Sequence, residues 1–185
     1  MKKTSLMAAL WLGAALGARA AEPEIVLSLQ DKGRGVFDVW ASFSVEASTQ
    51  TVWSVLADYD RIAGFVSDLR RSRVRERRGD SIILEQESTY RVLPFLRRIR
   101  LVLQVREEPD RISFEEISHE HFWFYEGFWR IAEEGGSVRL VYSLTAKRKF
   151  PAPSFITKLM VRRGALKLLN EVRREILRRA RAGSP

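Results

Sequence analysis

"FITKLMVRRGALKLLNEVRREILRRAR", residues 155–181, decides the fold. Ile156, Met160, Leu168, Leu169, Val172, Ile176 and Ala180 recur at three- and four-residue spacing, which draws one apolar stripe along one long helix. Pro151 and Pro153 stop strand pairing just before it, and Ser154 stands where an N-cap belongs. An apolar stripe of this length has to lie on an apolar surface. The rest of the chain must supply one.

It does so with period-two segments. In 36–46, Phe37, Val39, Ala41, Phe43 and Val45 alternate with polar neighbours, as in a half-buried strand. Further strands are expected at 69–78, 81–93, 97–107, 111–118, 122–133 and 137–149. Gly79-Asp80, Pro94-Phe95-Leu96, Pro109-Asp110, the His119 region and Gly135-Gly136 separate them. Ile99, Leu101, Leu103 and Val105 share one face, as do Val138, Leu140, Tyr142 and Leu144. Between the first two strands, Ser48 caps 49–57, and 59–67 suits a second short helix. The expectation is an α+β fold, a curved seven-stranded antiparallel sheet wrapped round the C-terminal helix, with two short helices after strand 1.

Residues 1–20 read as an address: Lys2 and Lys3, an apolar run from Leu6 to Leu16, then Ala18-Arg19-Ala20. About a dozen apolar residues fall short of the roughly 20 that cross a bilayer, so the expectation is a signal peptide cut near Ala20 and a periplasmic or secreted protein. Its removal leaves 29 Lys plus Arg against 23 Asp plus Glu, a charge of +6. With no cysteine, disulfides, thiolate chemistry and a lipid-modified cysteine are excluded. Residues 21–34 read as a lead-in and 35–183 as one domain, long enough to bury roughly 70% of the unfolded chain's surface. Export and the lack of a nucleic-acid motif argue against a nucleic-acid partner despite the basic charge.

The run "VWSVLADYDRIAGFVSDLRRSRVRERRGD" (52–80), the segment "YEGFWRI" (125–131) and the Arg-rich closing helix resemble the START-like (SRPBCC) superfamily. More narrowly, they are similar to its polyketide cyclase/dehydrase and coenzyme Q-binding branch. The resemblance spans about 36–181 and implies a helix-grip (START-like, Bet v 1-like) fold with an apolar cavity between sheet and helix. It implies no single chemistry, because members bind lipids, quinones, polyketides or hormones and only some catalyse a reaction.

The segment "HEHFWFYEGFWR" (119–130) holds both histidines and six of the nineteen aromatic residues, so its role turns on its place in the sheet. In an up-and-down meander, successive turns fall at alternate ends. Phe95, Leu96, Phe122 and Phe150 then gather at one end, where folding alone has no use for them. A cavity mouth explains them. Arg97, Arg98, Lys147, Arg148 and Lys149 flank that end, which makes it a candidate contact with an anionic membrane. The expected lining is Gln86, Ser88, Tyr90, His121, Trp123, Tyr125, Trp129 and Tyr142, with Tyr90 or Gln86 bonding the polar head of a ligand. Alternate residues on a strand face the same way, so His119 and His121 could both reach one ion, but zinc needs three or four ligands and only carboxylates such as Glu116 or Glu120 could complete the set. No metal and no cofactor are therefore expected. A base is available in His121 if the protein is an aromatase/cyclase-like enzyme acting on a polyketide. No nucleophile elbow, phosphate-binding glycine loop, HExxH or paired carboxylates demand an enzyme. The reading favoured is an apolar small-molecule carrier for a quinone or lipid, with a scaffold whose cavity is filled by side chains as a further alternative.

Overall fold

In the computed structural model, residues 24–92, 95–149 and 153–183 are described, with the side chains of 90–92 and 95–97 left out of the description. The expected signal peptide, its cleavage site and Phe150 lie outside the described residues. So do the side chains of Tyr90, Phe95 and Leu96.

The chain runs β1 (Val26–Gly33), β2 (Val36–Val45), α1 (Thr49–Leu56), a 3-10 turn (Ile62–Gly64), then six strands and a helix. The strands are β3 (Leu69–Arg78), β4 (Ser81–Val92), β5 (Phe95–Glu108), β6 (Arg111–Glu116), β7 (Phe122–Glu134) and β8 (Ser137–Arg148), and the helix is α2 (Ser154–Ala182). All eight strands form one antiparallel sheet in the order β1-β2-β8-β7-β6-β5-β4-β3. The meander from β3 to β8 is unbroken, and β2 closes on β8. This is the helix-grip arrangement.

Four expectations change. The lead-in at 21–34 holds an eighth strand: β1 pairs with β2 from Val26↔Ser42 to Gly33↔Val36. Ile25, Leu27 and Leu29 pack on the core while Val26 faces out, an alternation too short to stand out in the sequence. The second short helix is only the 3-10 turn, for Gly64 weakens a helix there and the Asp60 carboxylate takes the Val74 N–H at 2.8 Å instead. Residue Ser48 does cap α1, its hydroxyl accepting from Thr51 N–H at 3.1 Å. At α2, Pro153 holds the cap position and Ser154 is already helical. Finally, Phe95 and Leu96 belong to β5, paired with Val92 and Arg91, and not to a loop.

Helix α2 does two jobs along its length. Its C-terminal half buries Leu169, Val172 and Ile176 completely against the core that includes Val52 and Val55 of α1. Each such side chain contributes roughly 1.5–3 kcal/mol. Its N-terminal half lies over a space the sheet does not fill.

Candidate functional site: an apolar cavity under the C-terminal helix

That space is a cavity of about 760 Å³ between the concave face of the sheet and α2. Leu84, Leu101, Leu103, Val105 and Ile112 line it from the sheet, and Met160, Val161, Gly164 and Leu168 from the helix. The volume lies within the roughly 300–1,000 Å³ of small-molecule sites.

One wall is aromatic. Phe122 and Tyr125 meet at 5.1 Å between ring centroids, Phe114 and Tyr125 at 6.0 Å, and Trp129 and Tyr142 at 4.7 Å. Gln86, Ser88, His121, Tyr125, Trp129 and Tyr142 all line the cavity, as their positions in the sequence suggest. Gln86 also donates to the Ser72 hydroxyl at 3.3 Å. Trp123 does not belong with them. It is 60% exposed and carries Lys149 Nζ 4.7 Å from its ring centroid. The cause is a bulge, since Phe122 pairs with Arg148 and Phe124 with Lys147, so one residue of β7 goes unmatched. Strict alternation fails across a bulge, which places Phe122 and Tyr125 on the same inner face.

The histidines also separate. Residues 117–121 are not strand, His119 has a positive φ of 51° and is exposed, and His121 lines the cavity. The two imidazoles therefore do not share a strand face, and only His121 turns to the cavity. Glu116, considered above as a metal ligand, is buried and otherwise engaged. Its carboxylate accepts from the N–H groups of Ser118 at 2.9 Å, His119 at 2.8 Å and Val102 at 3.4 Å, and from the Ser118 hydroxyl. Burial alone would raise its pKa, but these donors outweigh it and hold the carboxyl below its ordinary value. Glu116 is the staple of the β6–β7 connection.

Tyr59, Arg148 and Thr157 also line the cavity. Tyr59 donates its hydroxyl to Glu107 at 2.7 Å, and burial followed by that carboxylate pushes its pKa up. Arg148, taken from the sequence only as a flanking cation, lines the cavity together with Thr157. Its position was legible: Val138, Leu140, Tyr142, Leu144 and Ala146 alternate inward along β8, and Arg148 is next in that series.

Comparison with known proteins fits this geometry. A family model described as "polyketide cyclase / dehydrase and lipid transport" matches residues 45–173. The chain belongs to this polyketide cyclase/dehydrase and lipid transport family. Among solved structures, the Zhui aromatase/cyclase of a Streptomyces species is similar at a TM-score of 0.69, with 18% identity over 81% of this chain and 99% of that one. A STAR-related lipid transfer protein from Xanthomonas axonopodis gives 0.63, with 13% identity over 81% and 98%. A START superfamily protein from Mycobacterium smegmatis gives 0.60, with 19% identity over 80% and 99%. At these identities the structural neighbours establish the START-like fold of the family member. No curated protein matches by sequence.

Proposed function

We propose that this family member is exported and carries an apolar small molecule, an isoprenoid quinone or a lipid, in the cavity under α2. The observation that carries the reading is the cavity itself: about 760 Å³, walled by aliphatic and aromatic side chains, with only a few polar groups among them. Water fills such a space poorly because it finds few polar partners, whereas a hydrocarbon with one polar head matches it. A lipid transfer protein among the structural neighbours supports the same reading. The signal-like N-terminus supports export, and the mouth suits unloading at an anionic bilayer. Phe155 is 73% exposed and Leu159 48% exposed on the first turns of α2, beside the exposed cations Lys158, Arg162 and Arg163.

Native mass spectrometry of protein purified from its own host, followed by solvent extraction, tests the carrier reading. The expected result is a noncovalent adduct that releases a quinone or lipid. A protein without adduct, whose Trp fluorescence is unchanged by ubiquinone-2 and by oleate, would overturn it. A second reading, an aromatase/cyclase-like enzyme, has one observation in its favour, the His121 ring on the cavity wall. Under that reading His121→Ala abolishes turnover of a polyketide-type substrate while binding persists.

A further inference from the structure

Along β4 the inward side chains run Ile82, Leu84, Gln86 and Ser88, two aliphatic and then two polar. Gln86 and Ser88 line the cavity, roughly 7 Å apart at ~3.4 Å per residue of strand. Their neighbours across the ladders are Leu101 and Ile99 on β5, and Ser72 and Leu69 on β3. The Gln86 amide nitrogen is engaged with the Ser72 hydroxyl at 3.3 Å. Among the described residues nothing meets the Gln86 carbonyl oxygen, and nothing meets the Ser88 hydroxyl, although Ser88 is only 3% exposed. Buried polar groups are nearly always hydrogen-bonded, so an acceptor and a hydroxyl facing an apolar space point to a partner brought from outside.

The charge around this pair narrows the choice of partner. Asp68 and Glu171 line the same cavity, and both lie beside Ser88: the Thr89 N–H donates to Asp68 O at 3.1 Å, and Glu171 accepts from the Ser67 N–H at 3.1 Å. Each carboxylate has its own cation, Lys167 for Asp68 and Arg174 at 3.9 Å for Glu171, and the cation is the more exposed member of each pair. Arg98 stands across from Thr89, out of phase with Ser88, and is exposed. An anionic head beside Ser88 would meet two carboxylates across a space that screens little. A quinone carbonyl can only accept, and leaves the Gln86 oxygen unmet. A hydroxyl group both donates and accepts, which answers both residues at once.

We propose that the molecule carried is neutral and hydroxylated, an alcohol or a phenol on a hydrocarbon, its O–H donating to Gln86 and its oxygen accepting from Ser88. This rests on the carrier reading and narrows the two ligand classes named there, to a lipid alcohol rather than a fatty acid and to a quinol rather than a quinone.

The test is fluorescence titration of the full chain with pyrenedodecanol, its methyl ether and pyrenedodecanoic acid at pH 8. The alcohol should bind about tenfold more tightly than the ether, the scale of two net hydrogen bonds, and more tightly than the acid. In Ser88→Ala and in Gln86→Leu the alcohol-to-ether ratio should fall toward one, and reading a ratio cancels any general loss from impaired folding. Competition against bound pyrenedodecanol then separates the two sources of the hydroxyl. Stronger displacement by ubiquinol-2, held reduced under argon, assigns a phenol, and stronger displacement by geranylgeraniol an alkyl alcohol. A wild-type ratio near one, tighter binding of the acid than of the alcohol, or a preference for the alcohol that survives both substitutions would overturn the proposal. Binding of the ether or the acid in that case leaves the carrier reading standing. Failure of all three probes to bind the wild type overturns both.

Discussion

Gly127 shows what a single residue decides in this sheet. A Cβ built there would stand 2.1 Å from the Ser143 carbonyl oxygen and 2.7 Å from the Phe114 ring. The first neighbour is backbone of β8 and cannot yield cheaply. The glycine of "YEGFWRI" therefore lets β7 pass close to β8 while Phe114 turns into the cavity wall, where it meets Tyr125 and Tyr142. Gly127→Ala should cost about 3 kcal/mol, as overpacking at a rigid contact does, measured as a lower urea midpoint. A wild-type midpoint would mean the strands have slack at this point. The near contact comes from residues 13 before Gly127 and 16 after it, and no local pattern shows them.

Helix α2 carries two further tests, one for each half. Gly164 lines the cavity and has nothing within 4 Å of the position a Cβ would take. A glycine inside a helix costs roughly 1 kcal/mol against alanine, so the fold alone does not ask for it. Gly164→Ala should raise stability by about that amount, while Gly164→Phe should narrow the cavity and weaken ligand uptake with the helix intact by circular dichroism. Uptake unchanged in Gly164→Phe would remove this stretch of α2 from the site. In the other half, Glu175 accepts from Arg178 at 2.7 Å and from Arg179 at 2.8 Å, and Arg179 reaches Asp58 at 2.7 Å beyond the end of α1. Arg178 and then Arg179 overcome the effect of burial and hold the Glu175 pKa down at about 2, from an ordinary 4.5. A depressed carboxylate contributes stability that is fully present above its unfolded pKa and is lost as pH falls through the folded one. Urea midpoints should therefore decline between about pH 4.5 and pH 2, and Glu175→Gln should flatten that decline. An equally steep decline in the variant would assign the acid sensitivity to other carboxylates. The stripe of α2 was plain from its spacing alone. Its division into a core half and a cavity half was not, because both halves are apolar.

At the scale of the molecule, the proposed contact with membranes rests on exposed apolar groups and cations around one end. Trp123 is turned outward by the β7 bulge, and Phe155 and Leu159 stand on the first turns of α2. Flotation with liposomes should show binding that rises with anionic lipid and falls with salt, each basic residue near the surface adding roughly 1 kcal/mol. A Phe155→Ser, Leu159→Ser double variant should lose most of it. Equal flotation on neutral and anionic vesicles would reduce this end to the rim of a pocket. Among the described residues no helix is long and apolar enough to cross a membrane, so such a contact would be peripheral as far as helices are concerned.

The antiparallel meander from β3 to β8, the long closing helix and the inner faces of most strands followed from apolar periodicity, because a sheet and a helix repeat at fixed periods and a hydrophobic face needs a partner. Gln86, Tyr125, Trp129 and Tyr142 were legible as cavity lining for the same reason. The tertiary structure decided the rest. The edge strand β1 depends on a partner at Phe37 to Ser42 that its own short pattern does not specify. The outward turn of Trp123 depends on a one-residue mismatch between β7 and β8, and such a mismatch is a property of two strands together. The inward side of Arg148 followed from the alternation of β8, but its contacts with Thr157 and Phe37 come from segments 9 residues after and 111 residues before. A side chain's periodicity says which way it points, and only the packed chain says what it meets there.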